Sequence, residues 1–353
     1  MTDIYQDGTE ALLRRKTPTY RQAYSDRTCW LMACMSELAY IRFNEFVPGS
    51  DIQQFVEREL AKLISDDFSK SIKAAEFIAL VQSLSYDHHQ EREALSRGLS
   101  YLNASLISTF DKGGTQAILI DTDLFYVLSF RGTEMTSIRD IKTDFNMILT
   151  QCDTSGLVHT GFKQAYQYVE NDIVEELKKI EQQGKPIFIT GHSLGGALAT
   201  IAAKKLKFKS GIAGCYTFGA PRVGDHNWIS AIKTPLYRVV NAADCVTMLP
   251  PNGITTSVFS ILVAWIPNIG PRINQWLSST FGCYIHAGNM RFLTNCKGEP
   301  YDSVQLLYHV SIIYRLKALW IKRRAPNSLL KDHSISVYRK KLKVVAEKRQ
   351  THE

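Results

Sequence analysis

The hydrophobic pattern of the chain changes near residue 115. Before that point apolar residues return every three or four positions, as in "RTCWLMACMSELAYIRF" (27–43) and "DIQQFVERELAKLI" (51–64). This spacing is typical of amphipathic helices, and Asp51 is a candidate N-cap. Residues 1–110 are therefore predicted to form a mainly helical extension packed on the rest of the protein.

After residue 115 short β-branched and aromatic runs alternate with longer helical stretches. The pattern predicts helices at 162–182 and 194–206 and strands at 117–121, 125–130, 186–190, 213–218 and 236–240. Such alternation indicates an α/β fold with a largely parallel sheet flanked by helices. We expect one α/β domain over residues 111–353, with an apolar insertion at 253–282.

The C-terminal part of the chain is predicted to be helical and basic. In a helix over 303–324, one face carries apolar side chains and the end carries Lys322, Arg323 and Arg324; the apolar face consists of Leu307, Val310, Tyr314, Ala318 and Ile321. Two interpretations stay open: a helix packed on the core with a solvated end, or an amphipathic helix that faces a membrane.

Charge and composition limit the classes of partner. The 353 residues carry a net charge of +8, and 45% are hydrophobic, which is enough for a substantial core. A basic protein favours anionic partners, but its basic residues are not interleaved with aromatic side chains, so nucleic-acid binding is not predicted. An anionic membrane surface is the preferred partner, while the oligomeric state stays open.

Targeting and metal signals are weak. No run of about 18 apolar residues is present, and the first twenty residues lack a secretory pattern. We therefore expect a cytoplasmic or peripherally membrane-bound protein, with export by a signal-independent route as the alternative. The seven cysteines are scattered and never form CxxC, which favours reduced thiols over disulfides or a zinc site.

One serine lies in a sequence motif that is typical of nucleophilic serines. The stretch "PIFITGHSLGGALAT" (186–200) contains GxSxG between a predicted strand and a predicted helix. In this setting a serine occupies a sharp turn and projects beside the first N–H groups of the helix, which stabilise a developing oxyanion. Ser193 is thus a candidate nucleophile; the alternative is an ordinary turn serine.

A nucleophilic serine needs a downstream carboxylate and a histidine. Asp244 follows the predicted strand 236–240 and is the preferred acid, whereas Asp225 in "APRVGD" is interpreted as a turn or helix-capping residue. Among the later histidines, His309 lies inside the predicted helix. The residues alone do not separate His286 from His333.

Seven stretches in order resemble the class 3 lipases, the family of the filamentous-fungal triacylglycerol lipases. They are "YVLSFRGTE", "VHTGFKQAY", "ITGHSLGGALA", "YTFGAPRVGD", "RVVNAADCVTMLPP", "IHAGNMRFLT" and "DHSISVY", between residues 115 and 340. The resemblance implies an α/β-hydrolase fold. Carried over by position, it implies Ser193 as nucleophile, Asp244 as acid and His333 as base, with Thr133 and Leu194 forming the oxyanion hole.

The resemblance also implies an activity. We expect a serine hydrolase of acyl-lipid esters that needs no metal or organic cofactor, with triacylglycerol lipase as the first expectation. Phospholipase A1 or galactolipase is the alternative, and a catalytically silent lipid-binding scaffold is a distant one. By resemblance, residues 134–149 correspond to a lid, and a plain packed helix is the alternative. The 253–282 insertion, together with Arg272 and the basic tail, is expected to contact lipid.

Overall fold

The computed structural model describes residues 24–41, 88–132, 148–251, 283–296, 298–311, 313–315, 317–318 and 331–350. The chain divides into two compact units, one of Met1–Tyr40 with Gly98–Glu353 and one of Ile41–Arg97. The described part of the second unit is residue 41 and the helical residues 88–97. The domain boundaries at 110 and 111 stay a prediction.

Several sequence predictions lie outside the described residues. They are the N-cap Asp51, the oxyanion residue Thr133, residues 134–147 of the lid segment, the insertion 253–282 with Arg272, and the basic end of the tail, 319–324.

Ten strands lie in the described residues. They are β1 (Ala104–Lys112), β2 (Thr115–Thr122), β3 (Tyr126–Phe130), β4 (Leu149–Gln151), β5 (Leu157–His159), β6 (Ile187–His192), β7 (Ile212–Phe218), β8 (Leu236–Asn241), β9 (Asn289–Leu293) and β10 (Leu306–Leu307).

Eight of these strands form one sheet in the order β1-β2-β3-β6-β7-β8-β9-β10, and β4 pairs with β5 in a small second sheet. Strands β3, β6, β7, β8 and β9 run parallel, while β1, β2 and β10 add antiparallel edges. The predicted largely parallel sheet is confirmed. With helices on both faces and a strand–serine–helix turn after β6, this is the α/β-hydrolase fold.

The described helices are α1 (Asp26–Leu38), α2 (His88–Tyr101), α3 (Thr160–Ile180), α4 (Leu194–Lys205), α5 (His226–Ser230) and α6 (Ile335–Gln350). Helices α3 and α4 pack together on one face of the sheet, whereas α1 packs against β3 and β6 and also contacts α6.

Strand β6 shows why helices cover both faces. Ile187 and Ile189 belong to the main hydrophobic core with α3 and α4. Thr190 points the other way and bonds to the Ser36 hydroxyl of α1, with 2.8 Å between the oxygens. Successive side chains of a strand alternate between faces, so a strand that is buried along its whole length needs a layer on each side.

Two stretches depart from the helical prediction. Residues 104–110 begin β1, because they pair with β2 in an antiparallel ladder. The predicted helix at 303–324 is wrong over 303–311: Leu306 and Leu307 pair with Leu293 and Phe292 at the sheet edge. A helical turn starts only at residue 313. Backbone pairing with β9 outweighs the local helical periodicity, which carries no information about distant partners.

No helix within the described ranges is both long and apolar enough to cross a bilayer.

Candidate active site

The turn between β6 and α4 places Ser193 in a strained conformation, with φ of 57° and ψ of −126°. Glycines on both sides make this turn sterically feasible. A Cβ on Gly191 would lie 2.2 Å from the carbonyl oxygen of Gly195, and one on Gly195 would lie 2.3 Å from that of Phe130. The GxSxG spacing is therefore a steric requirement of the turn, which presents the serine side chain above the end of the sheet.

Ser193, His333 and Asp244 form a continuous hydrogen-bonded series, called here the Ser–His–Asp relay. The Oγ of Ser193 lies 2.9 Å from Nε2 of His333, and Nδ1 of His333 lies 2.9 Å from Oδ2 of Asp244. All three side chains are buried, with exposures of 0%, 6% and 1%. Because an ionised carboxylate only accepts, Nδ1 carries the proton and Nε2 accepts from the serine hydroxyl.

Two further donors hold the carboxylate of the relay. The Tyr338 hydroxyl donates to Oδ2 of Asp244 over 2.6 Å, and the backbone N–H of Val246 donates to Oδ1 over 3.0 Å. Tyr338 also accepts from the N–H of Asn241 at the end of β8. Each donor is directed at the charged form, so Asp244 is held as an oriented carboxylate.

The loop that carries His333 is hydrogen-bonded to the loop that carries Asp244. Asp332, adjacent to His333, accepts the N–H of Ala243 on its carboxylate, while its backbone carbonyl accepts from the Asn241 side chain. The two loops are 89 residues apart along the chain. These bonds fix their relative position without using the relay atoms.

A second histidine, His192, contacts the backbone of His333. The Nε2 of His192 lies 2.6 Å from the backbone oxygen of His333, and its Nδ1 lies 2.8 Å from the Tyr40 hydroxyl. A carbonyl only accepts, so Nε2 of His192 carries its proton and Nδ1 accepts from Tyr40. Burial and the adjacent His333 hold the pKa of His192 well below its usual range. His192 is thus a neutral positioning residue.

The oxyanion side of the site is partly described. Leu194 is the first residue of α4, where backbone N–H groups have no acceptor inside the helix. Thr133 lies outside the described residues. Its neighbour Gly132 approaches the nucleophile closely: a Cβ there would lie 3.2 Å from Cβ of Ser193 and 2.5 Å from the backbone oxygen of His192. The described chain before Thr133 therefore ends beside the serine.

The competing candidates lie elsewhere. Asp225 caps α5, as predicted, by accepting the N–H of Trp228 over 2.8 Å. The His286 ring nitrogens are buried and bond to no relay member. His309 lies in a loop after β10 rather than in a helix.

Three residues that support the relay were not predicted from the sequence: Tyr338, Tyr40 and His192. His192 lies within the motif, and its position before Ser193 was the one available signal. Tyr338 and Tyr40 lie on α6 and beyond α1, and only their folded positions bring them to the site. Among the described residues no group of three His, Cys, Asp or Glu side chains is arranged to hold a metal ion.

Part of the chain is similar in sequence to known lipases. Residues 127–254 match the family model described as Lipase (class 3). A secreted mono- and diacylglycerol lipase of Fusarium solani is 38% identical over 133 residues, which are 35% of this chain and 39% of the relative. A lipase of Rhizomucor miehei is 33% identical over 175 residues, 45% of this chain and 46% of the relative. The chain thus spans less than half the length of these relatives.

Two solved lipase structures are also similar to this chain. The native propeptide complex of Rhizomucor miehei lipase has a TM-score of 0.46 and 24% identity, covering 66% of this chain and 68% of that chain. A lipase of Rhizopus microsporus var. chinensis has a TM-score of 0.47 and 22% identity, covering 68% and 76%. The match to the family model over residues 127–254 includes Ser193 and Asp244. Over residues 127–254 the chain is similar to the class 3 lipases.

Proposed function

We propose that this protein is a serine hydrolase that cleaves carboxylic esters of acyl lipids through an acyl-enzyme on Ser193. The observation that carries the proposal is the Ser–His–Asp relay, with 2.9 Å at each step. A serine hydroxyl is a weak nucleophile until a neighbouring base takes its proton, and this base is oriented by a buried carboxylate. The strained turn presents the serine side chain, and the adjacent helix N-terminus supplies N–H donors for the oxyanion.

In the first step Oγ of Ser193 bonds to the ester carbonyl carbon while its proton passes to Nε2 of His333. The carbonyl oxygen becomes an oxyanion, which accepts from the N–H of Leu194 and, in this proposal, from Thr133. Removing one such donor typically costs about 3 kcal/mol of transition-state stabilisation. Asp244 stabilises the imidazolium and keeps its Nδ1 proton.

In the second step the tetrahedral intermediate collapses and the alcohol leaves with the proton from His333. Water then attacks the acyl-enzyme, giving its proton to His333, and the fatty acid departs as Ser193 regains its hydroxyl proton. His192 contributes by holding the backbone of His333, because a neutral imidazole in that position accepts a bond from Tyr40 without repelling the imidazolium.

A fluorophosphonate probe tests the nucleophile. We expect covalent labelling of the wild type, no labelling of Ser193→Ala, and wild-type labelling of Ser129→Ala, a control serine buried in β3. Loss of the nucleophile should lower kcat by about 10⁴-fold or more. An unlabelled wild type, or equal labelling of Ser193→Ala, would leave the catalytically silent scaffold as the correct function.

The substrate class we propose is acylglycerol, supported by relatives named mono- and diacylglycerol lipases. Phospholipids and galactolipids are the alternative substrates, favoured by the net charge of +8, which attracts anionic surfaces. Rates on mono-, di- and triacylglycerol, phosphatidylglycerol and digalactosyldiacylglycerol, measured in mixed micelles, decide between them. A higher kcat/KM on either polar lipid than on every acylglycerol would reject the proposed class.

We propose further that the protein acts as a peripheral protein at an anionic lipid surface. The support is the apolar insertion 253–282 between the acid and base loops, together with the basic charge. Flotation with phosphatidylglycerol vesicles should recover the wild type and less of a variant lacking residues 257–281. Retained labelling by the probe serves as the folding control. Equal recovery of both proteins would reject this role for the insertion.

A further inference from the structure

Three arginine side chains are buried beside the acid loop, residues 244–250. Arg222 lies between β7 and α5, Arg238 lies on β8, and Arg315 lies in the helical turn that starts at residue 313. Their exposures are 2%, 8% and 7%. Unpaired cations are rarely buried to this extent, because removing a charge from water is costly unless a counter-ion replaces the solvent.

The acid loop supplies neutral acceptors to two of these arginines. Arg222 donates to the backbone carbonyls of Met248 and Pro250, and Arg315 donates to the Thr247 hydroxyl. Carbonyl and hydroxyl groups orient a guanidinium, but they do not neutralise it. These neutral acceptors therefore hold both side chains in place without neutralising their charges.

Several donors in the same cluster have no partner. The Nε atoms of Arg222 and Arg315, and both Nε and Nη1 of Arg238, are buried without a hydrogen bond. The two ring nitrogens of His286, one a donor and one an acceptor in the neutral form, are also buried without a hydrogen bond. Buried donors without acceptors are uncommon, and a group of them in one place indicates a missing acceptor.

The electrostatics agree with the geometry. Burial first, and then the charge of Arg315, lower the pKa values of Arg222 and Arg238 to about 9. Burial and the charges of Arg238, Arg222 and Arg315 hold the pKa of His286 well below its usual range. The four groups are thus close enough to affect one another, and the cluster favours an anion.

The stretches of sequence that follow the acid loop and flank Arg315 contain no carboxylate. Residues 245–298 and 303–331 contain no Asp and no Glu. The acid of the relay, Asp244, favours the charged form of Arg315, but its oxygens are bonded to His333, Tyr338 and Val246. These two stretches therefore supply no counter-ion to the cluster.

We propose that Arg222, Arg238, Arg315 and His286 form a binding site for a phosphate group behind the acid loop. Guanidinium groups present paired N–H donors that match phosphate oxygens, and three of them suit a doubly charged tetrahedral anion better than a singly charged planar carboxylate. A neutral His286 adds one N–H donor. The phosphate comes either from free phosphate or from a phospholipid headgroup.

Binding at this site is coupled to the acid loop through Thr247. Its hydroxyl accepts from Arg315 and donates to the backbone oxygen of Asp244 over 2.9 Å. A bound phosphate would reduce the repulsion among the arginines and stabilise this loop. The site does not depend on ester hydrolysis, so its test measures binding and leaves the proposed activity to the probe experiment.

Thermal unfolding and isothermal titration calorimetry test the site with sodium phosphate against sodium chloride at equal ionic strength. In the wild type we expect a saturable rise in Tm of about 5 °C at a phosphate concentration near 100 times Kd. Arg238→Met and, independently, Arg315→Met should weaken phosphate binding at least 10-fold. Arg97→Met, which removes an exposed arginine from α2, should bind as the wild type does.

Vesicles of phosphatidylcholine with phosphatidic acid distinguish the source of the phosphate, with all variants carrying Ser193→Ala to prevent turnover. Vesicle binding that falls in Arg238→Met and Arg315→Met but not in Arg97→Met assigns the site to a headgroup, even if free phosphate has no effect. Phosphate and vesicle responses that are absent, or identical in all four proteins, overturn the proposal. Far-ultraviolet circular dichroism checks that each variant is folded. If one arginine variant does not fold, the other still tests the site.

Discussion

Gly219 tests whether the geometry of the relay limits catalysis. It follows β7 with φ of +59°, and a Cβ at this position would lie 2.8 Å from Oδ2 of Asp244 and 3.0 Å from the ring of His333. To reach an ordinary contact of 3.4 Å, the carboxylate must move by about 0.6 Å and the imidazole by about 0.4 Å. Both shifts act directly on the hydrogen bond between acid and base.

Gly219→Ala should therefore lower kcat on a soluble p-nitrophenyl ester by about 10²-fold, because displacements near 1 Å cost that much in a preorganised site. It should also lower the free energy of unfolding by about 1–2 kcal/mol, the cost of a left-handed non-glycine residue. Gly184→Ala is the matched control: its φ is +74° and nothing lies within 4 Å of its added Cβ. We expect the control to show a similar loss of stability and wild-type kcat. Unchanged kcat in Gly219→Ala, or an equal loss in both variants, would refute this steric reasoning.

Two further outcomes concern stability. Tyr338→Phe removes a donor from Asp244 and leaves the N–H of Asn241 without an acceptor, so urea unfolding should show a decrease of about 2–5 kcal/mol in the free energy of unfolding. The control Tyr166→Phe deletes a buried hydroxyl that has no hydrogen-bond partner, so its free energy of unfolding should be nearly unchanged. Equal losses in the two variants would mean that the bonds of Tyr338 contribute little. Burial lowers the pKa of His159 to about 4, below its unfolded value near 6.5. The contribution of His159 to the free energy of unfolding is therefore largest above pH 6.5. It falls by up to about 3 kcal/mol as the pH drops towards 4, because the unfolded state binds the proton at a higher pH than the folded state does. His159→Asn keeps a helix-capping side chain without the titration, so urea unfolding between pH 7 and 4 should show a shallower decline than in the wild type; an unchanged slope would contradict the assignment.

The predictions that held depend on short stretches of chain. The strand–turn–helix around Ser193 could be predicted because GxSxG combines two glycines with flanking periodicities, all within fifteen residues. The capping role of Asp225 was equally local, since an N-cap bonds to a residue three positions later. Asp244 was placed by its position directly after a strand of a parallel sheet, whose strand ends share one edge.

The predictions that failed involve distant partners. Residues 303–311 have a helical pattern, yet Leu306 and Leu307 pair with β9 because the sheet edge offers unpaired backbone groups. His286 and His333 are equivalent as isolated residues, and the family resemblance alone favoured His333. Their environments differ only in the folded chain, where one faces Ser193 and the other faces buried arginines.

By itself, the sequence determined the α/β alternation, the nucleophile turn and the position of the acid loop, because each is encoded by residues that are near neighbours along the chain. The family resemblance favoured His333 over His286, and the tertiary structure places His333 beside Ser193. Only the tertiary structure decided that Tyr338 and Tyr40 support the relay and that three arginines share one buried site. The physical reason is that hydrogen bonds and charge interactions depend on distances in space. The order β6-β7-β8-β9 brings together residues separated by more than a hundred positions, such as Ser193 and His333.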